Sequence, residues 1–319
     1  MKVKEQVIPK VKEYAIWFVL IALFITFSLT SANFFTESNL FTVVRQVSMF
    51  GIAAVGMTFV ILIGGIDLSI GSIITLVNVV CAYLMVHLGF SIPIAILASI
   101  VIAVAIGALN GLMVAWIKMP AIIATFATQI IFEGVSYILC GGTPIYGFDE
   151  GFKVIGQGYI GPVPVPVIIM AICFGVGAFI LHKTFFGRYF YAVGGNEDAS
   201  RLSGINVNRI KFLIYCLSGF FAGIAGIVML SRTNSAQPTA GKGFEFDVIT
   251  CVVLGGVSVA GGYGKIVNVI AGTMIIGILT NGMILMNVDT YLQMVMKGIV
   301  LILAVGFDSI QNSKVRTKS

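Results

Sequence analysis

Two charged side chains stand where a hydrocarbon environment makes charge expensive. Glu133 and Lys297 each lie within a long apolar stretch, about seven residues from its end and so roughly 10 Å deep at the helical rise per residue. Ionisable groups at that depth usually face a water-filled cavity or one another. Gln129 and Gln293 stand one helical turn before them, so amide and charge share a helix face. One expectation is that Glu133 and Lys297 approach each other beside a pathway, joined by Gln129 and Gln293. The other is that each snorkels separately to the nearer surface. Asn110 and Asn281 complete a set of amides suited either to a passing hydroxylated guest or to bonding between helices.

Other chemistry has little to build on. The five cysteines (Cys81, Cys140, Cys173, Cys216 and Cys251) show no CxxC spacing and read as small hydrophobes. His87 and His182 flank helix ends, and no His/Glu cluster or GxSx-type nucleophile lies at depth, so neither a metal nor a catalytic site is expected. Asp67 sits in a glycine-flanked turn, GGIDLSIGS, and is expected to fix that turn.

A second polar constellation is HKTFFGRYFYAVGGNEDASRLSGINVNRIK, between Leu181 and Phe212. Asn196 is suited to cap a helix, Glu197 and Asp198 to its positive first turn, Arg201 to its last turn, and Gly204 to a left-handed exit. A capped helix of about two turns set between rigid spans reads as a docking element or, more plainly, as a solvated connector.

These residues are held by a chain built for lipid. Of 319 residues 58% are hydrophobic and 10% charged, against about 25% charged in soluble domains. That excludes a soluble enzyme, a nucleic-acid binder and a disordered chain. Apolar stretches at about 14–32, 43–63, 70–86, 93–117, 121–140, 163–181, 212–230, 248–260, 266–286 and 291–307 predict about ten crossings in one membrane domain, 1–319. The first is too long for a signal peptide and reads as an uncleaved helix. The eighth is short, and either begins near Phe244 or is broken. Prolines fall at helix starts or lead-ins.

Lysine and arginine set the orientation. With the N-terminus inside, the inner face collects Lys2, Lys4, Lys10, Lys12, Lys118, Lys183, Arg188, Arg201, Arg209, Lys211, Lys265, Lys314, Arg316 and Lys318. The outer face receives Arg45, Lys153, Arg232 and Lys242. The net charge of +6 is thus a topology signal, with attraction to membrane lipid as a by-product. Both termini are expected in the cytoplasm.

The halves echo one another. ILIGGIDL (61–68) resembles VVLGGVSV (252–259), Gly107 to Gly111 resembles Gly277 to Gly282, and Gln129 to Gly134 resembles Gln293 to Gly298. Two repeats (about 14–140 and 163–307) of five helices each would be inverted in the membrane, with a substrate path at their interface. Gly51, Gly56, Gly107, Gly111, Gly223, Gly226, Gly272 and Gly277 are spaced for close helix contact.

GRYFYAVGGNEDASRLSGINVNRIK resembles the cytoplasmic coupling segment of ABC sugar permeases of the ribose/xylose/arabinose group. GGIDLSIGS, SAQPTAGKGFEFDVITCVVLGGVSVAGGYGKI and YLQMVMKGIVLILAVGFD resemble the same family. The likeness covers essentially the whole chain. It implies an all-α bacterial inner-membrane permease that hydrolyses no ATP itself. Consistently, Gly241-Lys242 and Gly264-Lys265 lack the rest of a P-loop. ATP and magnesium would be bound by a cytoplasmic ATPase, and no cofactor by this chain.

The resemblance further implies a second permease copy, as a homodimer, and a periplasmic or lipid-anchored sugar-binding protein. The ATPase would take Asn196, Glu197, Asp198, Ala199, Arg201, Leu202 and Gly204 of the coupling loop 183–211. The binding protein would meet outer loops 141–163 and 231–247, whose charges Asp149, Glu150, Arg232, Lys242, Glu245 and Asp247 could pair across that surface. The pathway set is Asn110, Gln129, Glu133, Asn281, Gln293 and Lys297. A basic residue is common in the family where this chain has Glu133, so no general Glu–Lys pair is implied. Ribose is the expected cargo, with autoinducer-2 or another pentose or hexose behind it. An ion-gradient-driven transporter is the competing class.

Overall fold

The computed structural model describes the backbone of residues 2–316 and the side chains of residues 16–310. The terminal basic residues read above as inner-face charges (Lys2, Lys4, Lys10, Lys12, Lys314, Arg316 and Lys318) lie outside the described side chains.

Helices form wherever the apolar stretches were read. In order they are α1 (Lys2–Thr30), α2 (Glu37–Leu62), α3 (Ile70–Val86), α4 (Ile92–Ala115), α5 (Ala121–Cys140) and α6 (Glu150–Gln157). A hairpin follows, β1 (Tyr159–Ile160) and β2 (Val163–Pro164), antiparallel with Ile160 opposite Val163. The rest are α7 (Val165–Lys183), α8 (Phe185–Gly195), α9 (Glu197–Leu202), α10 (Val207–Thr233), α11 (Phe244–Leu254), α12 (Ile266–Leu285) and α13 (Thr290–Arg316). Among the described residues, seven helices are long and apolar enough to cross a membrane: α2, α4, α5, α7, α10, α12 and Thr290–Ile310 of α13. Ile16–Thr30 of α1 and all of α3 are shorter apolar helices. Proline sits where its missing N–H costs nothing, in the first turns of α4 and α7 and at the N-cap of α5. Pro9 differs, because α1 begins well before the expected start and carries it inside the helix.

α2 and α10 form the buried centre and pack on each other. α4 lies along α10, and α12 along α2. α3 packs on α4 and α5, as α11 packs on α12 and α13. Glycine sets the approach: a Cβ at Gly107 would strike the backbone carbonyl of Tyr215, and one at Gly272 that of Cys251. Such contacts allow dispersion and Cα–H···O attraction that larger residues would block.

Two of the three sequence echoes fall on helices with matching neighbours, α4 with α12 and α5 with α13. The third does not. Gly64-Gly65 follows α2, whereas Gly255-Gly256 follows α11. Within five-helix repeats these turns occupy different positions, and their likeness arises because both use a left-handed glycine, Gly64 at φ +75° and Gly256 at φ +77°.

α11 is the short eighth helix, and it begins at Phe244. The segment before it enters the body of the protein rather than lying on its surface: Ser235, Ala236 and Gly241 are buried. The Gly241 N–H donates to Thr75 Oγ1 at 2.9 Å, and Gly71 and Gly241 touch backbone to backbone. The first turns of α3 and α11 therefore meet in the interior. Irregular backbone is tolerated there because protein groups satisfy it.

Candidate functional site

Where α3 begins, the chain builds a buried polar cluster. Asp67, 0% exposed, accepts hydrogen bonds from the Ser69 amide (3.0 Å) and Ser69 Oγ (2.6 Å) through Oδ1, and from Ser218 Oγ (2.7 Å) through Oδ2. Asn110 Nδ2 donates to Ser69 Oγ at 2.8 Å, and Thr128 Oγ1 donates to Asn110 Oδ1 at 2.8 Å. Thr125 Oγ1 accepts from the Leu68 amide at 3.1 Å. One network thus joins the α2–α3 turn to α4, α5 and α10. Ser218 lies about 17 Å along α10 from Val207 at the helical rise, so the turn penetrates the bundle. Asp67 fixes its turn as expected, but deep inside, and Asn110 is held as interhelical glue.

The other amides are also engaged. Asn281 exchanges two hydrogen bonds with Asn39, at 2.8 and 3.0 Å, tying α12 to α2. Gln293 donates to the Val288 carbonyl at 2.9 Å, beside the start of its own helix. Gln129 Nε2 donates to Glu245 Oε1 at 2.8 Å.

Lys297 pairs with Asp247, Nζ to Oδ2 at 2.7 Å, and not with Glu133. α13 packs on α11 and α5 on α3, so the two expected partners belong to separate helix pairs. Glu133 instead lines a cavity of about 10 Å³ with Gly71, Ser72, Thr75, Gln129, Pro238 and Lys242. That is room for one water; no sugar fits there in this conformation.

The charges assigned to a docking surface divide. Asp149 is exposed and caps α6 by accepting from the Gly151 amide at 2.7 Å; exposed Glu150 pairs with Lys153. Lys242 is exposed at the mouth of the small cavity. Arg232 is half-buried, with Nη1 3.8 Å from Met49 Sδ. Glu245, 2% exposed, and Asp247 face inward, because α11 starts inside the bundle. These two do not form part of a docking surface. α6 itself is fastened to the end of α10: Ser231 Oγ accepts from the Gly156 amide and donates to the Phe152 carbonyl, and Gln157 donates to the carbonyls of Ser231 and Arg232. Ile145 pairs with Ala236, joining the two loops of that face.

On the opposite face α9 folds as its residues dictate. Asn196 Oδ1 accepts from the Ala199 amide at 2.9 Å, and Gly204 leaves with φ +83°. Glu197 bonds Arg201 at 3.0 Å and Lys211, at the root of α10, at 2.6 Å. Burial alone would raise its carboxyl. The bonds and charges of Lys211 and Arg201 outweigh that and hold it below the ordinary glutamate value. Asp198, Ala199, Arg201 and Gly204 are exposed, and Leu202 is 90% exposed. The presented surface of α9 is therefore a leucine rimmed by polar groups, with the partly exposed Glu197 at its edge toward Lys211.

Sequence reasoning missed Ser69, Ser218, Thr125, Thr128, Asn39 and Lys211. Their partners are distant in the chain, and hydroxyl residues in apolar stretches look alike whether bonded across helices or not. The nearest signal was the oddity of Asp67 and its serines bordering so apolar a run.

A polytopic helical bundle with a charge pair at depth, two helices starting in its interior and a capped helix offered on one face fits the class of membrane permeases. The chain belongs to the family described as branched-chain amino acid transport system / permease component, whose model matches residues 39–305. It is 46% identical over 294 residues to the ribose import permease protein RbsC of Escherichia coli (strain K12), covering 91% of each chain. The Bacillus subtilis (strain 168) protein of that name is 44% identical over 291 residues, covering 91% of this chain and 90% of its own. The L-arabinose transport system permease protein AraH of Escherichia coli (strain K12) is 38% identical over 305 residues, covering 96% and 93%. No solved structure matches the chain.

Proposed function

We propose that this chain is the membrane-spanning permease of an ATP-driven importer, carrying ribose inward across the plasma membrane. Its likeness to ribose import permeases over nine-tenths of its length carries the cargo assignment. The geometry of α9 supports the energy source. A capped helix presenting a bare leucine into water is a surface made for a partner's groove, and the reading places the cytoplasmic ATPase there. The α6 face then lies outside, and receives the sugar-binding protein through exposed Asp149, Glu150 and Lys242.

The same reading takes the chain through ten crossings in two inverted repeats. The matched packing of α3 on α4 and α5 with that of α11 on α12 and α13 supports it, as does the interior start of both α3 and α11. The path is assigned between two permease copies, along α5 and α13. Those helices are among the least buried spans, yet they carry Glu133 and Lys297, whereas α4, also largely uncovered, carries no charge. Reconstitution of the permease with its ATPase and binding protein in proteoliposomes tests the function. Ribose uptake that needs ATP and survives collapse of the proton gradient is expected; uptake abolished by that collapse would point to an ion-driven carrier.

A further inference from the structure

Between α11 and α12 the loop 255–265 touches three parts of the α9 face: the end of α8, the end of α2 on which α8 also packs, and α13. It meets the end of α8 with no side chains between. A Cβ at Gly194 would collide with the Leu62 carbonyl and lie 2.5 Å from the Gly262 amide, and one at Gly262 would be 2.8 Å from Gly195 Cα. Tyr191 Oη donates to the Gly264 carbonyl at 2.8 Å. The Gly262 N–H in turn donates to the Leu62 carbonyl at the end of α2, at 2.8 Å. On its other side the loop is held by α13, where Asp308 Oδ2 accepts from the Val259 amide at 3.0 Å and from Ser258 Oγ at 3.3 Å.

Contacts of this kind have little give. Backbone against backbone leaves no rotamers to absorb a displacement, whereas long side chains would. α8 runs directly into α9 through Gly195 and Asn196, and α13 carries both Asp308 and, three turns away, Lys297 in its pair with Asp247. The chain of contacts is continuous from the ATPase-facing helix to the charged pair at membrane depth.

We propose that loop 255–265 is the transmission element of the importer, with Gly194 and Asp308 as its two positioning residues. Movement of α9 is passed through the Gly194–Gly262 contact to the loop, and through Asp308 to α13, which shifts Lys297 relative to Asp247. This rests on the reading of α9 as the ATPase contact and adds to it the route inward and the helix that responds.

The test uses the complete transporter, with Gly194→Ala, Asp308→Asn, Asp308→Glu and the Gly194→Ala/Asp308→Asn double variant. Four quantities are read: co-purification of the ATPase, basal ATP hydrolysis, its stimulation by sugar-loaded binding protein, and sugar moved per ATP. Both single variants are expected to keep association and basal hydrolysis within about twofold while stimulation and sugar moved per ATP fall at least about tenfold, the size of a typical coupling energy. Asp308→Glu should recover part of the loss. Two links in series predict that the double variant is no worse than the poorer single one. Should Gly194→Ala fail to assemble, Asp308→Asn, which adds no volume, decides the matter alone. Unchanged sugar per ATP in Asp308→Asn, or losses that multiply in the double variant, would overturn the transmission role. If Leu202→Glu in the wild-type background leaves ATPase association intact, the reading of α9 has failed instead.

Discussion

At the scale of single residues, polar groups in this bundle are placed by what must neutralise them. Lys297 and Asp247 are both mostly covered, with side-chain exposures of 25% and 14%. Removing one partner leaves the other charged and poorly solvated, at a cost of up to about 3 kcal/mol, while removing both is far cheaper. Lys297→Met is expected to lower the melting temperature of the purified protein, and Lys297→Met with Asp247→Leu to recover most of the loss. No recovery would mean that the pair is not the source of the cost. The same logic governs Glu197, whose carboxyl is held below its ordinary value of 4.5. A depressed folded value stabilises above the unfolded one and is lost as pH falls through the folded value. The stability gap between wild type and Glu197→Gln, under about 1 kcal/mol at this exposed site, should stay constant from neutral pH down to about 5 and shrink only below that. A gap already closing near pH 6 would show that Lys211 and Arg201 do not hold the charge.

At the scale of elements, legibility followed physical range. The helices and their caps were readable because hydrophobic runs, Pro120, Pro93, Asn196 and Gly204 act within a few residues. Which charge meets which was not, since Lys297 and Asp247 are fifty residues apart and the partner depends on α11 packing against α13. The segment before α11 was read as an outer loop because it is rich in small and polar residues. Its burial is visible only once Gly241 is seen against Thr75 and Gly71. The glycine spacing, by contrast, announced close helix contacts correctly: Gly107 on Tyr215, Gly272 on Cys251 and Gly56 on Ser218. Gly272→Val therefore places a branched side chain against a carbonyl that belongs to α11 and cannot turn aside. Destabilisation of about 1–3 kcal/mol is expected, read as a drop in melting temperature and in yield of folded protein. Gly175→Ala, where a Cβ meets open space, should be neutral and serves as the control.

At the scale of the whole molecule, a single chain is closed beside its charges, with a cavity of only about 10 Å³ next to Gln129 and Glu133. On the proposed reading a sugar passes where helices of two copies face each other, and the exposed sides of α5 and α13 would supply those surfaces. Gly134 and Gly298, next to Glu133 and Lys297, occupy equivalent places on these helices. A Cβ on either meets nothing within 4 Å. Small residues at that position leave backbone open to close approach by another helix, which lipid contact alone would not require. Copies bearing Gly134→Cys or Gly298→Cys, with Cys216 replaced by serine, are accordingly expected to cross-link through short bismaleimides into a dimer in native membranes. A cysteine at Leu97, on the exposed side of α4, should not. The assembled importer should contain two permease chains by native mass measurement, and sugar should slow the cross-linking at Gly134 and not the labelling at Leu97. A complex of one permease chain, or equal cross-linking at all three positions, would place the path within a single copy and would require the bundle around Glu133 to open.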